Sequence, residues 1–246
     1  MKVWMIGIVL LTSLACNSKP AANNAPASAN VSSASDFRSL FFADQSLQQV
    51  SEMAKPGAPN DPSSLFASAL AASRKGNTDQ AKTDLKKILD IPDGESRVQL
   101  WAWKALRDLG EKPPAEIADQ IQGVVCELHN DAGVGTIAAY VDGRARWQSG
   151  PDKMMVWDAS GTDIAIDRLI YDVIKASEPL VNGAPLSEVH KTPEPEAEHF
   201  RVSILTFAGI RTVEVFGPDI VEKHPVAPVL VSSGKLVDAL SRKSSK

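Results

Sequence analysis

The feature that most limits what this chain can fold into is a change in the period of its apolar residues near Gly123. Before that point they recur at helical spacing, three to four residues apart; after it they alternate or run together in short stretches bounded by turn residues. VVCELH, TIAAYV, RARWQ and MMVW read as strands. Asp142-Gly143 lies between the second and third, and both residue types tolerate positive φ, so a hairpin is predicted there. GTDIAIDRLIYDVIKASEP then reads as an amphipathic helix with Ile166, Leu169, Ile170, Val173 and Ile174 on one face, Thr162 as its cap and Pro179 at its end. HFRVSILTF, a two-residue Ala208-Gly209 turn and IRTVEVF form a second hairpin, and VLVSSGKLVDALSRK a last helix. Strands, helix, strands, helix predicts an α+β fold: an antiparallel sheet with helices packed on one face, over residues 123–246.

Residues 36–122 are predicted to be helical. DFRSLFFADQSLQQVSEMA, SSLFASALAASRKGN, TDQAKTDLKKILDIP and ESRVQLWAWKALRDLGEKP each carry apolar residues at helical spacing. Asp61 and Pro62 suit an N-cap and first helical position, and Gly76 and Gly110 two helix stops. Those glycines are 34 residues apart, as are Ala81 and Ala115. The pattern Leu65, Ala69, Gly76, Ala81, Leu85 resembles the tetratricopeptide repeat, with one good copy and a degenerate half: Ser68 and Ala72 are small, Ile88 large, Pro92 one position early, and Asp119 replaces an apolar residue. So short an array is expected to dock on another domain. From about Arg97 onward, LWAWKALRDLG, GVVCEL, TIAAYVDGRARW, MMVWD and the late hairpin are similar to a family of uncharacterised bacterial proteins, which implies a recurring domain and no activity.

The first 35 residues say where such a chain resides. Met1 and Lys2 precede an uncharged run from Val3 to Leu14, a signal-peptide layout. As a helix the run would rise roughly 18 Å, short of a bilayer core of about 30 Å. After Cys16 come nineteen residues to Ser35, seventeen of them Ala, Ser, Asn or Pro, a composition that cannot offset its ordering entropy and reads as a flexible tether over 16–35. Leu14-Ala15-Cys16 after Ser13 resembles the lipobox of a bacterial lipoprotein precursor, with Ser13 and Leu14 departing from the preferred residue types. The resemblance implies a signal peptide over 1–15, cleavage between Ala15 and Cys16, and lipid on Cys16: diacylglycerol and an N-linked acyl chain such as palmitate. Asn17 in place of aspartate implies the outer membrane, facing the periplasm. Ser13-x-Ala15 also satisfies ordinary secretory cleavage, and an uncleaved chain is the third alternative.

Losing Lys2 leaves 25 of the 26 basic residues against 30 acidic ones, a formal charge of about −5. That balance argues against nucleic acid and against a polybasic membrane-surface module. Cys126 in GVVCEL has no intrachain partner if Cys16 is acylated and reads as a buried core residue. No local pattern carries chemistry. Ser149 and Ser160 lack the flanking glycines of a nucleophile elbow. Gly133-Val134-Gly135 lacks the rest of a phosphate loop, and Ser160-Gly161-Thr162 needs only to turn and cap. His129, His190, His199 and His224 lack metal-ligand spacing, so neither metal nor cofactor is expected. Asp158, Asp163, Asp167 and Asp172 read as a solvated face. Trp101 and Trp103 must face different ways, one to the core and one to a neighbour. Arg144 and Arg146 are expected on an exposed face, with Ala145 and Trp147 beneath. The chain is therefore expected to be a lipid-anchored envelope protein acting as a non-catalytic module with a protein partner. The alternatives are a periplasmic hydrolase with its site at the junction of the helical and α+β regions, and a structural envelope component.

Overall fold

A computed structural model describes residues 34–53, 57–58, 60–130, 133–149, 154–184, 186–187, 194–221 and 223–244. The signal run, Cys16, most of the expected tether and His190 lie outside them. The N-terminal helices are α1 (Ala34–Phe42), α2 (Leu47–Met53), α3 (Pro62–Arg74), α4 (Thr78–Leu89), α5 (Ser96–Asp108) and the one-turn α6 (Ala115–Ala118). Two residues assigned to the tether, Ala34 and Ser35, thus belong to α1. The opening segment, expected as one helix, is two, because Ala43 adopts φ 49° and breaks it. Ser46 restarts the chain as a reciprocal cap: Gln49 N–H donates to Ser46 Oγ at 3.3 Å, and Ser46 N–H donates to Gln49 Oε1 at 2.9 Å.

The other helix boundaries follow their residue types. Asp61 caps α3, its carboxylate accepting the Ser64 N–H at 2.8 Å, with Pro62 where no N–H is needed. Gly76 and Gly110 take φ of 76° and 81° just past α3 and α5, and the residue after each donates back to the helix, Asn77 to Ala72 O and Glu111 to Leu106 O, both at 2.9 Å. Leu65, Ala69, Ala81 and Leu85 are all buried between α3 and α4, where the small pair lets the helices approach closely.

The sheet comprises β1 (Ile121–Asn130), β2 (Gly133–Tyr140), β3 (Ala145–Ser149), β4 (Met154–Trp157), β5 (Leu186–Ser187), β6 (His199–Thr206) and β7 (Gly209–Phe216). Their order is β4-β3-β2-β1-β6-β7-β5, every pair antiparallel. The fold is α+β, as the change of period predicts. The Asp142-Gly143 turn forms, with Gly143 at φ 79°, although it spans four residues from Val141 to Arg144. The β6–β7 turn is Phe207-Ala208 rather than Ala208-Gly209. Phe207 leaves the strand to pack on Trp103, with ring centroids 5.9 Å apart.

Helices α7 (Ile164–Val181) and α8 (Ala227–Ser244) pack together on one face of the sheet, Ile166, Ile170, Val173, Leu236 and Leu240 meeting Val124, Val202 and Ile204 in one core. Asp163, not Thr162, caps α7 by accepting the Ala165 and Ile166 N–H groups. Pro179 lies inside the helix, near its end, where its missing N–H costs one hydrogen bond. The opposite face carries α1–α5, whose Phe41, Phe66, Trp103 and Leu106 share a second core with Val125, Tyr140, Leu205 and Ile210. The expected docking of the helical region thus takes the form of one continuous core. Two polar ties reinforce it: Tyr140 OH donates to Phe41 O at 2.7 Å, and Asp142 accepts the Ser96 N–H at 2.7 Å, so the hairpin turn caps α5. The described residues, 34–244, belong to one compact unit.

Candidate functional site

The residues singled out from sequence do not converge. Ser149 and Ser160 are exposed. Gly133 turns the β1–β2 hairpin at φ 101°, and Gly135 is paired within β2. His129 and His199 contact the carbonyls of Pro195 and Ala197 through Nδ1, whereas His224 Nδ1 accepts the Val226 N–H. Among the described residues no group of three or more His, Cys, Asp or Glu could hold a metal ion. Asp158 pairs with Arg146 at 2.6 Å, Asp163 with Lys243 at 2.8 Å, and Asp167 accepts the Gly161 N–H. The Lys243 hydrogen bond and the α7 N–H groups hold the Asp163 carboxyl below its usual range. Cys126 is buried, with Ser233 Oγ donating to its sulfur at 3.2 Å, and burial pushes its thiol up to about 12.

Arg146 corrects the expectation for its strand. It is 7% exposed, and its guanidinium donates to Ala145 O, Trp157 O and Asp158 rather than to solvent. Trp103 is the core tryptophan, against Phe207; Trp101 donates to Gln45 Oε1 with Arg97 over its ring.

Two charged assemblies have no signature in the sequence. On the helical face of the sheet Glu127, whose side chain is fully buried, lies opposite Arg201 of β6. It accepts from Arg38 Nε at 2.5 Å and Nη2 at 2.9 Å, with Arg201 Nη1 at 3.6 Å. Arg201 in turn donates to Glu214 at 2.6 Å. Burial alone would raise the Glu214 carboxyl, but bonds from Arg201 and the Glu196 N–H outweigh it and hold the group low. This chain of alternating charges joins α1, β1, β6 and β7, and every charge has an opposite neighbour, which suits a structural tie better than a reactive centre.

The second assembly is a corner where the α1–α2 junction meets α5. Asp44, Lys104 and Arg107 line, with Thr206 and Gly209, a cavity of about 20 Å³, room for one water. Burial raises the Asp44 carboxyl to about 6, against the opposing pull of Lys104 and Arg107. Lys104 is held by Asp108 at 2.9 Å, and Arg107 donates to Phe207 O.

A wider opening is a groove of about 570 Å³ between the end of α6, the start of β1, the β2–β3 turn and the second half of α7. A β-bulge shapes it: β1 slips register against β6 between Ile121 and Gly123, so an extra residue, Gln122, enters the strand. Gln122 lines the groove although it is only 7% exposed, and its carboxamide hydrogen-bonds to no other described residue. The apolar lining is Ile121, Val141, Ile174 and Val181, with Asp119 and Glu178 among the polar members. Asp119 Oδ1 accepts from Arg211 at 2.7 Å and Glu178 Oε2 from Lys175 at 2.6 Å. This combination can hold a molecule by apolar contact and by hydrogen bonds to the polar groups of the lining. Comparison of the chain with protein-family models, with curated proteins and with solved structures gives no match.

Proposed function

We propose that this protein is a lipid-anchored component of a bacterial envelope, most simply at the outer membrane facing the periplasm, whose folded unit acts as a non-catalytic binding module. The anchor is supported by the order of residues 1–35: one cation, twelve uncharged residues, Cys16, then the Ala/Ser/Asn/Pro tether. Acylation at Cys16 after cleavage from Ala15 attaches several chains, each buried CH₂ contributing about 0.8 kcal/mol, so the attachment is effectively permanent. The seventeen residues 17–33 then hold the fold near the bilayer while leaving it free to reach a partner.

The single observation that carries the binding role is the groove. It is open, and its lining combines apolar side chains with Gln122, a neutral carboxamide, a group that recognises and does not react. The hydrolase alternative has one feature in its favour: the groove lies where the helical and sheet regions join and includes two carboxylates. Each of those is already engaged by a cation.

The experiment is expression of the full-length chain in a diderm bacterium beside a Cys16→Ser variant. Wild type should be processed, float with membranes and require detergent for extraction, while the variant should accumulate with residues 1–15 attached. A variant processed and released like the wild type would sink the anchor reading.

A further inference from the structure

We infer that β4 is a docking edge for a second copy of this chain: two β4 strands pair antiparallel about a two-fold axis at Met155 and join two sheets edge to edge. The inference goes beyond the binding-module reading and does not rest on it. Among the described residues β4 ends the sheet, with β3 on one side and no strand on the other. The main-chain groups it leaves free follow from the register. Tyr140 N–H donates to Arg144 O at 3.0 Å, so these two residues turn their backbone groups toward each other. Hydrogen-bonded pairs then recur at every second residue along an antiparallel ladder. Arg146 and Gln148 therefore face β2, whereas Ala145 and Trp147 face β4, where they meet Trp157 and Met155. Met154 and Val156 are left with N–H and C=O groups that point away from the sheet.

The same two residues carry the exposed side chains of the strand, 48% for Met154 and 45% for Val156. They lie on the face shared with their β3 neighbours Gln148 and Arg146, both of which are buried. Sheet edges are ordinarily kept from pairing by a charge, a proline or a bulge. Met154–Trp157 contains no charged residue and no proline, and its register against β3 is unbroken.

The fit of the strand to itself singles out a second copy. An axis at Met155 sets Met154 opposite the second copy's Val156, and Val156 opposite its Met154. Each pair exchanges two main-chain hydrogen bonds, and each exposed apolar side chain covers the other. Moving the axis to Val156 would instead set Met154 against Asp158, an apolar group against a carboxylate. The pairing uses the same strand of both copies, so it is isologous and closes at two. At the other end of the sheet β5 has two residues and offers no comparable edge. A four-residue strand on each side falls short of the roughly 1,200–2,000 Å² that a long-lived interface buries in total. The copies therefore exchange, and the share of dimer rises with concentration.

The test uses the protein purified in non-ionic detergent from cells expressing the full-length chain, with Met155→Cys and Met154→Cys variants oxidised side by side. Opposed residues of a non-hydrogen-bonded pair, as position 155 would be, have Cα atoms about 4.5 Å apart, within reach of a disulfide. The two copies of position 154 would be diagonal neighbours at about 7–8 Å, beyond that reach. Met155→Cys should therefore give about tenfold more disulfide-linked dimer than Met154→Cys or wild type. The protein mass of wild type in sedimentation equilibrium should rise with concentration toward twice that of the monomer. Val156→Lys, at a side chain already 45% exposed, should hold the mass at that of the monomer and cut the Met155→Cys crosslink about tenfold, with circular dichroism unchanged. Monomer mass at every concentration, equal crosslinking of the two cysteine variants, a crosslink to a different protein in place of the second copy, or a Val156→Lys variant that still dimerises would overturn the inference.

Discussion

Replacing Glu127 by Gln is the sharpest probe of how the helical region is fastened to the sheet. The carboxylate is fully buried, accepts from Arg38 at 2.5 and 2.9 Å, and stands 3.6 Å from Arg201. The amide would keep the shape, lose the charge and turn an NH₂ toward one guanidinium. Arg38 and Arg201, the latter 4% exposed, would then stand in low dielectric with half their compensation gone. Breaking a buried ion pair from one side costs about 3–5 kcal/mol, a large part of the roughly 5–15 kcal/mol that keeps a domain folded. For a unit of this size that corresponds to a fall in Tm of about 6–20 °C. Urea unfolding followed by circular dichroism should show the midpoint falling with an unchanged slope. Adding Arg38→Gln should cost much less than its effect alone, a coupling above about 1 kcal/mol. A loss below about 1 kcal/mol for Glu127→Gln, or additive effects, would refute the view that this chain of charges ties α1 to the sheet.

Asp44 supplies a pH-dependent counterpart. Its carboxyl is raised from 3.8 to about 6 by burial, so the folded state binds the proton more tightly than the unfolded one. The stabilisation is complete below about 3.8 and is lost as pH rises through about 6. The rise corresponds to about 3 kcal/mol at 1.36 kcal/mol per pH unit, cut to about 1–1.5 kcal/mol by solvent screening of a partly exposed group. Asp44→Asn should therefore raise stability at pH 7 by about that amount and flatten the Tm profile between pH 4 and 6; a less stable variant at pH 7 would contradict this. At Gly76 a Cβ meets nothing within 4 Å, so Gly76→Ala should cost only the positive-φ strain of about 1–2 kcal/mol. At Gly123 the Cβ would lie 2.7 Å from the Tyr140 ring, so Gly123→Ala should cost more in the same denaturation assay, and the reverse order would be wrong for this packing. Cys126, with its thiol pushed up to about 12, should resist iodoacetamide at pH 8 until denaturant is added, whereas rapid labelling of the folded protein would show that the site opens.

How much was legible in the sequence divides by the range of the signal. Asp61-Pro62, Gly76, Gly110 and Asp142-Gly143 act through their own backbone geometry, and each does in the structure what its type requires. The alternation after Gly123 marks the strands, and antiparallel pairing follows. Ser46 and Gln49 carry a capping box that was there to be read, and it ends the single long helix the apolar spacing suggests. The other differences depend on distant partners. Phe207 shifts its turn by one residue because Trp103, on another element, gives it a place to pack. Arg146 alternates as an outward residue should, yet the face it occupies is covered and Asp158 and Trp157 meet it there.

The candidate site was the least legible of all. Gln122 is an unremarkable polar residue beside a glycine until β6, far along the chain, pairs with β1 out of step across it. No local pattern announces a bulge of that kind. Likewise Glu127, Arg201 and Glu214 become neighbours only through the register of three strands, and Arg38 joins them only because α1 packs on that face. The Cys16 signal is of the opposite kind. It is read in the nascent chain as a linear pattern of charge, apolarity and small side chains, and it needs no fold at all.

Whether a binding module is held at the envelope by lipid on Cys16 can be read from the mass of the mature protein's N-terminal peptide. Membranes from cells expressing the full-length chain should yield a peptide that begins at Cys16 and carries a thioether-linked diacylglycerol and an amide-linked acyl chain. A peptide beginning at an unmodified Cys16, recovered from the soluble periplasmic fraction, would contradict this, as would one that still begins at Met1.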